Sequence, residues 1–326
     1  PGYSTATSEY LGLVIGLFFD SPNTLYVSDG SNHRIQQFFL GNKNGTKVAG
    51  LANGASGGSS TGLAYPSDVA LDSKGDLYIA DSQNHRIQRW RVNATAGEKI
   101  AGTGKSMKKI LLEIDVSSYD SKYCLGSSGS ALNQLNLPRS IVIDRRTDEI
   151  YVSDGGNNRI MMFTLNSTMG TIVAGGNGEG TNDNQLFQPR GLYFENITNS
   201  LIIANYGAHN ILRWKIGDLN WTLIAGELNR SVNVNQSRGN TPTRFNSPWE
   251  AILDPAGNLY VADRYNHRIQ FFRPGQLNGT TIAGVTGTSG TAAHLLSQPL
   301  SVVLDDDLNL YVADSGNNRI QKFTCY

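Results

Sequence analysis

The chain has 326 residues, and its 27 Lys and Arg side chains are balanced by 27 Asp and Glu side chains. This balance excludes the strongly basic surface that nucleic-acid binding normally requires. No stretch approaches the roughly 18 apolar residues of a membrane span, and the start, PGYSTATSEY, lacks the basic and apolar segments of a signal peptide. We therefore expect a soluble chain, and a start at Pro1 suggests a processed product or a fragment.

The predicted elements recur in the same order six times along the chain. Each repeat contains an apolar run that ends at an acid (PSDVALD), then LYVAD, then HRIQ with an aromatic residue and, in the first five repeats, a segment ending in AG. Their length and composition predict four short β-strands per repeat. The residue that closes the second segment marks each repeat, and successive markers are 52, 73, 51, 58 and 51 residues apart. These anchors are Asp29, Asp81, Asp154, Asn205, Asp263 and Asp314.

A repeat of four strands is typical of a β-propeller, because one four-stranded sheet cannot bury both faces until neighbouring sheets pack against it. The absence of long helical periodicity favours the same class. We therefore predict an all-β fold, a single six-bladed β-propeller of four-stranded antiparallel blades over residues 1–326. Two long connections, residues 103–137 and 227–247, are predicted as insertions.

The recurring NHRI and NNRI segments resemble the NHL repeat family, and the resemblance extends over nearly the whole chain in six copies. It implies the propeller fold. The family includes extracellular interaction modules, RNA-binding domains and, among relatives, a zinc lyase that acts on peptidyl-hydroxyglycine. The resemblance therefore implies no single activity, because function belongs to sites rather than to folds.

An Asp and an Arg stand five residues apart, on either side of a predicted tight turn, in five of the six repeats. At this spacing they can form a charge-assisted hydrogen bond. The fourth repeat replaces both at once, with Asn205 and Asn210. Because a residue present in every blade serves each blade alike, we interpret the pairs as structural rather than as a ligand site. The pairs are Asp29/Arg34, Asp81/Arg86, Asp154/Arg159, Asp263/Arg268 and Asp314/Arg319.

The two faces of the predicted propeller differ in their N-x-(S/T) sequons. Strands run outward from the axis, so the turns after first and third strands share one face, here the lower face, and the other turns share the upper face. Six of the eight sequons fall on the lower face, which predicts N-glycans there and a secretory route. The alternative is that Asn, Gly and Thr are simply good turn formers. The sequons are Asn44, Asn93, Asn166, Asn196, Asn220, Asn229, Asn235 and Asn278.

The upper face then remains free of glycans, and both insertions belong to it. Loops on a rigid scaffold commonly carry binding residues. The residues that begin each first strand differ between blades, and near the channel mouth they include Asp68, Arg139, Arg190, Trp249 and Glu250. We predict that this varied set binds a protein or glycan ligand; the alternative is that these are ordinary solvated rim residues.

The sixth repeat ends at TCY without an outer strand, which leaves an open sheet edge. We expect the N-terminal segment GYSTATSE to fill this edge, and donation of a strand by another chain is the alternative. Cys124 and Cys325 are predicted to form a disulfide, either within one chain or between chains. Self-assembly through the blade-six seam or through the cysteines is therefore an open alternative.

Enzymatic interpretations find little support in the sequence. A zinc site needs three or four ligands on one ion, whereas three of the five histidines, His33, His85 and His267, belong to the repeated turn of separate blades. The run Asp305, Asp306, Asp307 is more typical of a solvated bend than of a calcium site. We therefore expect no catalytic residue, no metal and no cofactor.

Together these patterns predict a secreted, N-glycosylated and non-catalytic interaction or adhesion scaffold that binds neither nucleic acid nor a membrane. Two alternatives stay open. One is a structural protomer of an extracellular filament or oligomer, and the other is a lyase-like enzyme with a metal in the central channel.

Overall fold

The computed structural model describes residues 10–20, 23–102, 127–165, 167–228 and 238–324. These residues form short antiparallel strands and single 3₁₀ turns. In chain order the strands are β1 Val14–Asp20, β2 Thr24–Asp29, β3 Arg34–Phe39, β4 Thr46–Gly50, β5 Pro66–Leu71, β6 Leu77–Asp81, β7 Arg86–Trp90, β8 Glu98–Ala101, β9 Pro138–Asp144, β10 Glu149–Asp154, β11 Arg159–Phe163, β12 Thr171–Gly175, β13 Pro189–Glu195, β14 Ser200–Asn205, β15 Asn210–Lys215, β16 Thr222–Gly226, β17 Pro248–Leu253, β18 Leu259–Asp263, β19 Arg268–Phe272, β20 Thr280–Gly284, β21 Ser301–Leu304, β22 Leu310–Asp314 and β23 Arg319–Phe323.

The strands form six antiparallel sheets arranged in a ring, which confirms the predicted six-bladed all-β propeller. In five sheets four strands pair in chain order, and the sheet β21-β22-β23 has three strands within the described ranges. The first strand of each blade contacts the first strand of the next, and β1 contacts both β5 and β21. These contacts close the ring around a central axis that the first strands line.

The second strand of each blade is the most deeply buried. Every residue of β6 and β18 is buried, because neighbouring blades cover both faces of the sheet at this radius. The largest hydrophobic cluster combines Tyr78 and Ile87 of blade two with Ile141 and Phe163 of blade three. The core therefore lies between blades, and burial of this apolar surface is what holds them side by side.

Several predicted features fall wholly or partly outside the described residues. These are the N-terminal segment GYSTATSE, both cysteines, Cys124 and Cys325, and much of the two insertions. Tyr10, the first described residue, lies in the connection that leads into β1, where its carbonyl accepts a 2.8 Å hydrogen bond from Arg34 Nη2. In the part of the chain that the structure covers, no helix has both the length and the apolar character to cross a membrane.

Candidate functional site

The repeated Asp and Arg hold the connection that leads into each blade. In blade two, Asp81 Oδ2 accepts a hydrogen bond from Arg86 Nε at 2.7 Å, and Asp81 Oδ1 accepts one from the backbone N–H of Ala64. Arg86 Nη2 donates to the carbonyls of Ser59 and Gly62 in the same connection. The Nε–Oδ2 distances in the five pairs lie between 2.6 and 2.8 Å. The pair therefore anchors the connection of its own blade.

In blades one to five, the residue that follows the 3₁₀ turn joins neighbouring blades. It ends the 3₁₀ turn in the left-handed conformation, with φ between 52 and 58°. Its side chain accepts a hydrogen bond from the backbone N–H of a residue at the start of the next blade. We call these five hydrogen bonds the interblade clasps. They run from Tyr65 to His33, Leu137 to His85, Gln188 to Asn158, Ser247 to His209 and Gln298 to His267, at 2.7–3.1 Å.

The clasps determine the protonation state of their histidines. Each uses imidazole Nδ1 as the acceptor, which requires the neutral tautomer with its proton on Nε2. Burial, with a smaller contribution from the Arg139 cation, lowers the pKa of His85 to about 4. Burial likewise lowers the pKa of His209 to about 4. Across the described residues, no three His, Cys, Asp or Glu side chains come together as a metal site would require.

The third residue of the first strand in blades one to five, and the first residue of β21 in blade six, lie on the axis and form what we call the axial ring. Its members in blade order are Gly16, Asp68, Ser140, Gly191, Glu250 and Ser301. The order glycine, acid, serine therefore occurs twice around the ring, with Asp68 and Glu250 in opposite blades. A Cβ atom on Gly16 would lie 2.6 Å from Asp68 Oδ1, so the glycine leaves the room that the neighbouring acid occupies.

Hydrogen bonds repeat with the same two-fold pattern. Asp68 Oδ2 accepts from Ser140 Oγ at 2.7 Å and from the backbone N–H of Ile141 at 3.0 Å. Glu250 accepts from the Ser301 hydroxyl and, at 2.9 Å, from the backbone N–H of Val302. Each acid is thus held in place by hydrogen bonds from the next blade. Ser140 and Ser301 in turn each accept a hydrogen bond from a backbone N–H of the blade that follows them.

The axial position corrects part of the predicted partner face. Asp68 and Glu250 are buried within the axial ring, and Arg139 and Arg190 are buried as well, so that Trp249 alone of the five predicted residues is partly exposed. Arg139, Arg190 and Trp249 occupy the preceding position on their strands. Arg139 and Arg190 line a polar depression of about 140 Å³, together with Glu179 and Gln188.

A stack of arginine and aromatic side chains covers blades four and five on the upper face. The guanidinium of Arg190 lies 4.7 Å from the ring of Tyr206 and 4.9 Å from that of Trp249. The guanidinium of Arg264 lies 4.9 Å from the Trp249 ring and 4.5 Å from that of Tyr265. Tyr206 and Trp249 meet edge to face at 5.7 Å. We call these five side chains the Arg–aromatic cluster.

Comparison with known proteins agrees with this geometry. The family model described as NHL repeat matches residues 63–90, 245–272 and 296–323, which lie in blades two, five and six. This chain carries NHL repeats. NHL repeat-containing protein 2 of Homo sapiens is 25% identical over 341 residues, which cover 91% of this chain and 44% of that protein. The chain thus spans less than half the length of this relative.

Solved structures similar to this NHL propeller have varied roles. An auxiliary nutrient binding protein from Bacteroides thetaiotaomicron VPI-5482 superposes with a TM-score of 0.65 at 16% identity, covering 96% of this chain and 69% of that one. A gluconolactonase from Xanthomonas campestris gives 0.56 at 15% identity, covering 94% and 84%. A chain of a nidogen/laminin complex gives 0.52 at 20% identity, covering 81% and 76%. At these identities the similarity shows the fold alone.

Five sequon asparagines of the NHL propeller are exposed on the lower face. Four of them lie in turns between third and fourth strands, and Asn196 lies in the turn between β13 and β14. The other four are Asn44, Asn93, Asn220 and Asn278. Asn166, Asn229 and Asn235 lie outside the described residues.

Three members of the Arg–aromatic cluster were absent from the sequence prediction. Tyr206 and Arg264 directly follow the anchors of blades four and five, and Tyr265 comes next. The other four blades have Gly or Ser directly after the anchor, at Gly30, Ser82, Gly155 and Ser315. The signal was therefore a departure from the small residue that the repeat otherwise places in this turn.

Proposed function

We propose that this NHL propeller is a non-catalytic extracellular interaction scaffold that binds a protein partner through its upper face. The observation that carries the proposal is the Arg–aromatic cluster. Trp, Tyr and Arg are the side chains that contribute most to protein interfaces, and they do so where they are packed and partly desolvated.

The cluster is arranged for recognition before any partner arrives. The guanidinium groups of Arg190 and Arg264 both stack on Trp249, so their planes are held by rings rather than free to rotate. Ordering these side chains on binding therefore costs little additional entropy. A fixed guanidinium matches a carboxylate in two parallel hydrogen bonds, so the chemistry favours a partner with Asp or Glu beside apolar residues.

The extracellular part of the proposal depends on the lower face. Exposed sequons are repeated there in blade after blade, and glycans on that side would leave the Arg–aromatic cluster uncovered on the other. The nidogen/laminin neighbour belongs to a protein complex by its name, which is consistent with a protein-binding role for the fold but assigns no partner to this chain.

The test is a comparison of partners captured by the secreted chain and by two variants. The change Trp249→Ala combined with Arg264→Ala removes the centre of the cluster, and Arg146→Ala on the lower face is the matched control. We expect the specific partner set to be lost from the cluster variant and kept by the control. An identical partner set for all three proteins contradicts the proposal.

Self-assembly is a second candidate, favoured by one observation. Strand β23 is the outer strand of a three-stranded sheet in the described residues, and a groove of about 630 Å³ lies beside it, with Phe38 and Ile320 in its lining. Sedimentation over a hundredfold range of protein concentration would separate the candidates. A monomer throughout contradicts assembly, whereas concentration-dependent oligomers support it.

A further inference from the structure

A cavity of about 430 Å³ opens along the axis at the lower face, away from the Arg–aromatic cluster. Its walls are the ends of the first strands and are mainly apolar, with Phe18, Tyr193 and Leu253 among the lining residues. Its inner end is formed by the two acids of the axial ring, Asp68 and Glu250. This combination of apolar walls and a few convergent polar groups is typical of a small-molecule site, and the volume is in the usual range.

Both acids are buried. Among the described residues, the donors to Asp68 and Glu250 are neutral hydroxyl or backbone N–H groups. Within the described ranges, no salt bridge joins either acid to a basic side chain. A buried carboxylate is costly unless its charge is compensated, so a cationic group at this position would be stabilised strongly.

The mouth of the cavity carries further negative charge. Asp254, Asp305 and Asp306 line its rim. Arg145 Nη2 contacts Asp20 at 3.1 Å, outside the cavity lining, whereas Lys322 Nζ contacts the rim acid Asp305 itself at 3.5 Å and partly compensates its charge. The field along the cavity therefore favours entry of a cation over entry of an anion.

The protonation of the two acids suits a ligand that carries one positive charge. Burial raises the pKa of Asp68 to about 6. Burial, and then repulsion by Asp68, raises the pKa of Glu250 to about 8. Near pH 7 the coupled pair therefore does not carry two full negative charges, because burial and mutual repulsion favour a bound proton.

We propose that the axial cavity binds a small organic amine, with its ammonium group against Asp68 and Glu250 and its apolar body against the walls. The walls supply affinity through apolar burial, and the acids select the charged ligand over its neutral analogue. This site is independent of the proposed upper-face function, because the two lie on opposite sides of the axial ring.

The test is calorimetric titration of the intact chain with 2-phenylethylamine and with 2-phenylethanol, which has the same body without the charge. We expect saturable binding of the amine and at least tenfold weaker binding of the alcohol. The double variant Asp68→Asn, Glu250→Gln should bind the amine at least tenfold more weakly, whereas Asp307→Asn, outside the cavity lining, should bind it as the unchanged chain does.

A second measurement needs no variant, so it stands even if the double variant fails to fold. Amine affinity should increase from pH 6 to pH 8.5 as the axial acids ionise, while the weak binding of the alcohol should stay constant. Equal affinity for the two compounds, undiminished binding by a folded double variant, or no binding of the amine overturns the proposal. Binding of calcium with no response to the amine also overturns it.

Discussion

The indole Nε1 of Trp221 donates hydrogen bonds to the carbonyl of Gln185 at 3.0 Å and to that of Asn182 at 3.1 Å. In blade three the carbonyls at the same two positions bind Arg159 Nη2 instead. Blade four has no such arginine, since its anchor pair is Asn205 and Asn210, whose side chains bond to each other at 3.1 Å. Trp221 thus supplies the donor that the missing arginine supplies elsewhere.

Trp221→Phe should destabilise the propeller by about 1–3 kcal/mol, because two carbonyls of the incoming connection lose their shared donor. Trp214→Phe is the matched control. It also removes an indole N–H, but its acceptor is the carbonyl of the exposed turn residue Asp218, where water can take over. Urea unfolding would measure the free energy of unfolding of both variants. An equal loss of stability in the two would refute the role given to Trp221.

Restoring the common pair should rescue a blade that lacks this tryptophan. Other blades have glycine at the position of Trp221, for example Gly170 and Gly279. In a Trp221→Gly background, adding Asn205→Asp and Asn210→Arg should therefore recover most of the lost stability, because the new arginine can reach both carbonyls. Unfolding free energies of the single and triple variants decide this, and absence of any recovery would show that the two donors are not equivalent.

The interblade clasps predict a loss of stability in mild acid. The pKa of His85 and of His209 is about 4 in the folded chain, below the ordinary value of 6.5, so between these values the unfolded chain binds more protons. The contribution of these two histidine clasps is therefore complete above pH 6.5 and declines as the pH falls towards 4.

The replacement His85→Asn isolates this effect. Asn158 already makes the same clasp in blade three, so an asparagine retains an acceptor that does not titrate. We expect the variant to lose less stability than the unchanged chain between pH 6.5 and 4, measured by urea unfolding at several pH values. His294→Asn, at an exposed histidine, is the control. If the free energy of unfolding varied with pH equally in His85→Asn and in the control, the role given to the clasp would be contradicted.

The axial acids predict a pH dependence of the opposite sign. The pKa of Glu250 is raised from its ordinary value of 4.5 to about 8, so the folded chain binds more protons over this interval. Stability should therefore decrease as the pH rises from 4.5 through 8. Glu250→Gln removes the charge and keeps an oxygen for the Val302 N–H, so it should be more stable than the unchanged chain at pH 9. Chemical unfolding at pH 5 and pH 9 tests this, and a variant that is less stable at both values contradicts it.

The sequence was sufficient to predict the fold but not the side chains that meet on the central axis. Six copies of a four-strand pattern predicted the propeller, because a repeated apolar run such as that of β6 can be buried only between similar blades. The same pattern placed Asp68 and Glu250 among residues of the upper face. Each acid stands singly in its own repeat, and only the closed ring brings blades two and five opposite each other.

The Arg–aromatic cluster could be predicted only in part for a related reason. Arg190 and Trp249 were recognised because the second position of the first strand varies between blades. Tyr206 and Arg264 were not, because they lie within the turn that the repeat marks as structural. Stacking of Arg190 between Tyr206 and Trp249 joins consecutive blades, and side-chain contacts of that kind are not encoded in the spacing of one repeat.

Glycan occupancy is the prediction on which localisation depends. The exposed sequons Asn44, Asn93, Asn220 and Asn278 each lie in a turn between third and fourth strands, where a bulky glycan meets solvent rather than a neighbouring blade. We expect most of them to carry N-glycans when the protein is isolated from its native source, as peptide mapping by mass spectrometry would show. Asn84 and Asn266 are buried asparagines outside any sequon and serve as unmodified controls. Bare asparagines at all four positions would contradict the secretory route and with it the extracellular scaffold, while the axial cavity would keep its own separate test.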